Sequence, residues 1–516
     1  MNGRLGNGAR RGVPTDNGAR RGVPTDNGAR PALAVLLPGF SGTELPDWLE
    51  ALLRRGLGGV CLFGENIVDA AQVRRLTDAI RAANPHALIA IDEEGGDVTR
   101  RHAATGSPYP GNAILGRIDD LELTAEVGRS VARELAALGV NLNLAPDADV
   151  NSDPDNPVIG VRSFGDEPEL VARHTAAWVA AHEREGVAVS AKHFPGHGDT
   201  ALDSHLALPV VDVTPEVLRA RDLPPFRSAI AAGARTVMSS HILLPQLDAE
   251  RPATFSARIL GGLLREELGF QGVIVTDALD MAGASGERGI PRAAVDALAA
   301  GCDLLCIGTR NTGPQLEDIA DGIERAIAEG RLDEARLGDA VARNRRLAES
   351  LAGTVPRELD AEAPEPRFDE ARIAAAFDVR PGVDPAALPA DAVVVAIETA
   401  ANIAVGSAPW GLAATGHPVV EVREGDALPE GSGPLLVTGK AHHRHPWVCE
   451  LIALARQRHP GTLVVDLGWP SPDREFADVA TFGASRVAAS ALAGMLGLGA
   501  GAGVGAGVAA DAGARP

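Results

Sequence analysis

Eight short apolar runs, spaced by helical stretches, constrain this chain more than any other feature. They lie at 33–37, 59–63, 88–91, 140–144, 187–190, 236–238, 273–275 and 304–307. Between most of them are segments such as 121–138 and 169–184, where apolar residues recur every three or four positions and Arg or Glu fills the opposite face. Near-continuous apolar strands alternating with such helices predict a parallel sheet covered on its outer side. Eight units in roughly 300 residues suit a (β/α)8 barrel of the TIM type, with a doubly wound sheet as the alternative. The polar residues favour the barrel. Asp92-Glu93-Glu94, Asp147 with Asp149, Lys192-His193, Ser239-Ser240-His241 and Asp277 directly follow five of the runs. A barrel gathers the C-terminal ends of all its strands around one mouth.

The rest of the 516 residues divides around that unit. Residues 7–16 and 17–26 repeat NGARRGVPTD without an apolar face, so 1–30 reads as a disordered basic tail, not a secretory leader. The barrel is expected over 31–352, ending in a helix at 333–352. A Pro- and Glu-rich linker follows at 353–367. A smaller sandwich-like α/β domain is expected over 368–494, with strands at 392–397, 419–422, 435–437 and 463–467 and a helix at 449–458. The stretch 487–510 is uncharged, but its second half is nearly all Gly and Ala. A last helix and a flexible tail over 495–516 fit it better than a membrane span. A formal charge of −21 disfavours nucleic acid and anionic lipid as partners. Four cysteines are too few for a disulfide framework and fit a reducing, cytoplasmic setting. The cluster His442, His443 and His445 lacks an acidic or thiol partner at metal-closing spacing and reads as a solvated loop.

Of the 48 basic residues only Lys192 and Lys440 are lysine. Lysine is a compact ammonium and arginine a broad fork, so Lys192 draws attention to its surroundings. Residues 192–205 read KHFPGHGDTALDSH and hold three of the 13 histidines. Pro195, Gly196 and Gly198 forbid a helix, which removes the helical zinc pair; a loop zinc site built from His193, His197 and His205 is a minor alternative. A Gly-rich loop can instead fold closely over a ligand and deliver Asp203 and His205 to it, the carboxylate orienting the imidazole for proton transfer. Asp277, at the end of VIVTD, is either a helix N-cap or a nucleophile facing the mouth.

The strings DEEGGDVTR (92–100), NPVIGVRSFG (156–165), KHFPGHGDTALDSH (192–205) and VTDALDM (275–281) resemble glycoside hydrolase family 3. Within it they are most similar to bacterial β-N-acetylglucosaminidases that act on cell-wall fragments. The resemblance spans about 33–350 in order. It implies a (β/α)8 barrel often followed by an α/β sandwich domain, with Asp277 as nucleophile and Asp203–His205 as the acid/base dyad. Asp92, Arg100, Arg162, Lys192 and His193 would hold the non-reducing sugar. The substrate would be a β-linked N-acetylglucosaminide, cleaved with retention through a glycosyl-enzyme. A histidine acid/base departs from the usual pair of carboxylates. Asp97 stands where many relatives carry a basic residue.

The alternatives are a β-glucosidase of the same family, a phosphorylase using phosphate as acceptor, and a non-catalytic sugar-binding barrel. The dyad loop argues against the first. A neutral imidazole repels phosphate less than a carboxylate would, so water and phosphate stay open as acceptors. Having both Asp277 and His205 argues against the last. No cofactor or metal is called for: the loop at 106–111 lacks the spacing of a phosphate cradle. Aglycone preference, the role of the second domain and oligomeric state are open at this level.

Overall fold

The structure is a computed structural model that describes residues 30–200, 208–353, 365–389, 391–399, 405–406 and 408–499. Eight parallel strands form the first unit: β1 (Leu36–Pro38), β2 (Gly59–Leu62), β3 (Leu88–Ile91), β4 (Leu142–Asn143), β5 (Ala188–Phe194), β6 (Thr236–Ser239), β7 (Val273–Thr276) and β8 (Leu305–Gly308). Strands β2 to β7 pair in sequence order, and β1 pairs with β8. A bridge between Val275 and Leu304 joins β7 to β8, while Gly58 N donates to Leu33 O at 3.0 Å beside β1. The strands therefore curl into a (β/α)8-type barrel. Val60, Leu62, Leu305 and Ile307 belong to the core under the helices, whereas Cys61 and Leu37 belong to an inner cluster. That alternation is the strand period of two at work.

Helix formation follows local chemistry. Asp120 caps the helix Leu121–Ala137 by accepting from Glu122 N at 2.8 Å, and Val127, Val131 and Leu135 fall on its buried stripe. This helix packs on Pro168–Arg184, where Trp178 and His182 stack at 4.4 Å and the His182 ring nitrogen Nδ1 donates to Gly128 O at 3.0 Å.

Three strand boundaries differ from the sequence pattern. Residues 33–35 form a 3-10 turn, and only Leu142–Asn143 of 140–144 sits in the ladder. The third difference matters for the site. β5 continues through Lys192 and His193 to Phe194, and its register with β6 slips between Ala191 and Phe194. A regular pleat sends consecutive side chains to opposite faces; the slip lets both Lys192 and His193 line one cavity.

The second unit is a six-stranded sheet built from β9 (Asp378–Val379), β10 (Val393–Ile397), β11 (Val420–Val422), β12 (Leu435–Gly439), β13 (Leu463–Asp466) and β14 (Val479–Ala480). Their order is β11-β10-β12-β13-β14-β9, all parallel except β9. The helix Pro446–Arg458 covers one face and Arg486–Met495 packs Ala488, Ala491 and Leu492 into the core on the other. Two-residue strands such as β9 and β14 are too short to leave a periodic pattern, which is why the sequence does not reveal them. Arg30, assigned above to the tail, is instead held by Glu317, Asp321 and Glu324 at 2.6–2.8 Å. Most of the expected tails and linker lie outside the described residues. Among the described residues no helix is long and apolar enough to cross a membrane.

Ala113 and Ile114, on the barrel helix Asn112–Ile118, share an apolar core with Phe482, Ala488 and Leu492 of the second unit. At its edge lies an ion pair. Asp97 Oδ2 accepts from Lys440 Nζ at 2.8 Å and Oδ1 accepts from Ala484 N at 2.7 Å. Asp97 is 3% exposed and Lys440 27%. Removing one partner of a buried pair strands the other charge. Lys440→Met is expected to lower stability by about 3 kcal/mol, the lower end of the range because Lys440 reaches water. An unchanged denaturation midpoint would show that Asp97 does not depend on this cation.

Candidate active site

At the C-terminal end of the barrel strands a cavity of about 590 Å³ opens. Its wall carries Asp92, Glu94, Arg100, Arg162, Lys192, His193, His197 and Asp277. The peptide segment after β3 supplies two carboxylates. Lys192 Nζ donates to Asp92 Oδ1 at 2.8 Å and lies 2.7 Å from Glu94 Oε1. Glu94 also takes a two-pronged bond from Arg162, Nε to Oε2 at 3.0 Å and Nη2 to Oε1 at 2.8 Å. Arginine's planar fork matches a carboxylate in this way; an ammonium cannot. Burial opposes ionisation of Glu94, yet Arg162 and Lys192 outweigh it and hold its pKa far below the ordinary range. Burial likewise opposes the Lys192 ammonium, and Asp92 with Glu94 restores it.

A second pair of carboxylates, on the segment after β4, supports the histidines. His193 Nδ1 lies 2.7 Å from Asp149 Oδ2, and Asp149 Oδ1 accepts from His197 N at 2.7 Å. Burial, joined by the Arg162 charge, lowers the His193 pKa to about 4, so the ring is neutral at physiological pH. With its Nδ1 proton given to Asp149, the ring presents Nε2 toward Arg162 Nη2, 3.4 Å away. Burial raises Asp149 to about 6 and, joined by repulsion from Asp149, raises Asp147 to about 8. Oxygen Oδ2 of Asp147 has no hydrogen-bond partner among the described residues; Arg162 Nη2 is 3.6 Å off.

Asp277 follows β7 and faces the cavity, half-buried. Its Oδ1 accepts from Ala278 N at 2.7 Å. Turns and a bend occupy 279–285, a 3-10 turn covers Gly286–Arg288 and the next α-helix begins at Ile290, so Asp277 caps no helix. Arg100 also lines the cavity and donates to Val405 O, a second-unit residue, at 3.3 Å. The buried Glu93 fixes this loop by accepting from Arg100 N and Arg101 N, each at 2.9 Å.

Asp203 and His205 lie outside the described residues. The stem of their loop is described through Thr200. Asn156 Nδ2 holds His197 O at 2.9 Å, and His197 Nδ1 is 2.8 Å from Thr200 Oγ1. Gly198 runs so close to Val150 that any Cβ would strike its carbonyl. His193 and His197 thus point their Nδ1 atoms at Asp149 and Thr200. Asp147, Asp149 and His193 do place ligand atoms within 4.8 Å of one another. Arg162 already supplies the positive charge beside them, so this set does not suit a divalent cation. In the second unit His442 Nδ1 donates to Phe476 O at 2.8 Å, and His443 Nε2 meets Asp155 at 2.9 Å. Each ring has its own partner.

Asp92, Arg100, Arg162, Lys192, His193 and Asp277, the sequence-derived residues that fall within the described chain, therefore line one cavity. Glu94, Asp147 and Asp149 received no role from the sequence. Their signal was a third acid in DEEGG and acids two apart after β4.

Fold and site together define a (β/α)8-type barrel with a charged cavity at its strand ends, and the chain belongs to glycosyl hydrolase family 3. The model of that family's N-terminal domain matches residues 44–347. A β-hexosaminidase A of Pseudoalteromonas piscicida is 39% identical over 336 residues; the match covers 60% of this chain and 56% of that protein. A β-hexosaminidase of Stenotrophomonas maltophilia is 36% identical over 347 residues, 62% of this chain and 100% of the relative. The solved structure of a family 3 β-N-acetylglucosaminidase from a Paenibacillus species superposes with a TM-score of 0.80 at 30% identity, covering 92% and 97% of the two chains. A β-glucoside phosphorylase, TM-score 0.72 at 20% identity over 91% and 92%, shares the fold.

The raised Asp147 acid gives a pH test. Between about pH 4 and 8 the folded chain keeps a proton that the unfolded chain has released, so stability falls as pH rises, by about 1.4 kcal/mol per unit for one such proton. Asp147→Asn lacks this loss. Its stability relative to the parent is expected to rise from about pH 5 to about pH 8 in chemical denaturation. A constant difference would mean that Asp147 is ionised in the folded protein throughout.

Proposed function

We propose that this chain is a retaining exo-β-N-acetylglucosaminidase, releasing terminal N-acetylglucosamine from cell-wall-derived muropeptides or chitooligosaccharides. The observation that carries the reading is Asp277 after β7, on a cavity that is also lined by the Asp92–Lys192–Glu94–Arg162–His193 network. The names of the hexosaminidase relatives support the acetamido sugar.

In this mechanism Asp92, Lys192, Arg162 and His193 bind the hydroxyls of the non-reducing sugar, with Arg100 at the rim. Asp277 attacks the anomeric carbon while His205, oriented by Asp203, protonates the departing oxygen. His205 then takes a proton from water, which displaces Asp277 and frees the sugar with its configuration retained. Neutral His193 accepts a sugar O–H at Nε2 without adding positive charge beside Arg162. Four free cysteines, three of them buried, suit a cytoplasmic setting.

The test is purified enzyme on a chromogenic β-N-acetylglucosaminide, with and without phosphate, with products identified by mass. Free N-acetylglucosamine at a phosphate-independent rate is the expected result. Sugar 1-phosphate would make it a phosphorylase, and cleavage of the β-glucoside alone would overturn the substrate. Asp277→Asn is expected to lose roughly 10⁴-fold or more in kcat with an unchanged circular dichroism spectrum. Near-parent turnover by that variant would remove Asp277 from the chemistry.

A further inference from the structure

The cavity wall changes character with depth. Its buried part is the polar network already described: the side chains of Glu94, Lys192 and Arg162 are 2–4% exposed, and that of Asp92 18%. Fixed donors and acceptors of this kind orient a single sugar. Among the described residues, the exposed members of the wall are Glu65, Ala104, Asp280, Thr309 and Gly406. Two of these five are charged, and both are acids. A group attached to a sugar seated on the buried network has to leave past this rim.

Both acids are held in place. Glu65 lies on the turn Gly64–Asn66 after β2 and accepts from Arg310 Nε at 3.1 Å. Asp280, beyond the end of β7, accepts from Thr309 N at 3.0 Å, just past β8. Arg310 is 72% exposed and is not part of the cavity wall, so it offsets Glu65 only in part. Over the whole described wall, Asp92, Glu94, Asp277 and the two rim acids face three cations, Arg100, Arg162 and Lys192. Arg162 and Lys192 are both engaged by Glu94. The stretches 201–207 and 400–404, outside the described residues, contain neither Lys nor Arg. With a formal charge of −21 on the whole chain, the field around the entrance repels anions.

We propose that Glu65 and Asp280 select the aglycone by charge: the group beyond the first sugar is the uncharged sugar of a chitooligosaccharide, and aglycones bearing a carboxylate, muropeptides among them, are rejected. The inference rests on the functional reading above and narrows it to one of its two substrate classes. A muropeptide brings carboxylates of its muramic acid or its peptide to this rim, where fixed acids meet them. A neutral pyranose meets the same oxygens as acceptors for its hydroxyls. Discrimination of this kind works by repelling the wrong partner and needs no tighter hold on the right one.

The test gives the full chain N-acetylglucosamine β-linked to N-acetylmuramic acid, as the free acid and as its methyl ester. The two forms differ by one charge and one methyl group. The ratio of kcat/KM, ester over acid, is expected to be at least about fivefold at low ionic strength, the effect of two unit charges at roughly 8 Å through water. It should fall towards one between about 0.01 M and about 1 M salt, as the screening length drops from roughly 30 Å to roughly 3 Å. In the double variant Glu65→Gln, Asp280→Asn the ratio, taken within that variant, should fall to about twofold or less at low salt. A ratio near one in the parent, a ratio unmoved by salt or by the double variant, or a failure to cleave either form overturns the proposal. The salt series uses the parent alone, so it decides the matter even if the variant does not fold. The chromogenic β-N-acetylglucosaminide separates the two ways of failing. If it stays intact, the functional reading falls and this inference with it; if it is cleaved while acid and ester react alike, only the charge selection falls.

Discussion

Glu94 is the residue on which the rest of the site depends. It is a carboxylate almost wholly removed from water, and it remains ionised only because Arg162, on the turn Gly160–Arg162, and Lys192, near the end of β5, reach it. Removing any one of the three strands the others at a cost of several kcal/mol. The network therefore fixes the relative positions of β3, the 156–165 segment and β5. Asp92 and His193 are carried along, because one shares Lys192 and the other lies against Arg162. Charge that is expensive to bury is retained where a polar ligand needs rigid donors and acceptors.

The barrel was legible because its signal is repeated. Eight apolar runs with polar residues at one end survive errors at individual boundaries. Lys192 was legible as a rare residue type, and Asp277 from its place after a strand. What stayed hidden has physical reasons. Lys192 and His193 looked like residues beyond a strand, since nothing in KHFPG announces a register slip. Asp149 acts by holding a tautomer of His193, a role set by a 2.7 Å contact between residues 44 apart. Glu93, Glu94 and Asp92 are adjacent acids with different tasks: one holds a loop, one sits between two cations and one faces the cavity. Sequence shows three acids; only packing divides the labour.

The two lysines end on the same short segment. Lys192 binds Asp92 and Glu94, and Lys440 binds Asp97 three residues on. The first tie is within the barrel and the second crosses to the other sheet. The turn between them, with Gly95 and Gly96 at positive φ, is thus held at both ends. Arg100 follows directly, and its bond to Val405 O brings the second unit to the cavity wall.

The shared core around Ala113 and Ile114 bears on how this chain can be dissected. A barrel expressed without the second sheet would carry those side chains, and the flank of Asn112–Ile118, as a bare apolar patch. Asp97 would face water on the same flank without its counter-ion. Such a fragment keeps every strand of the barrel and most of the cavity, yet acquires a sticky surface beside its own entrance. Truncation would convert an intramolecular contact into a site of self-association, so the fragment's solubility, not its chemistry, would set the limit on its use.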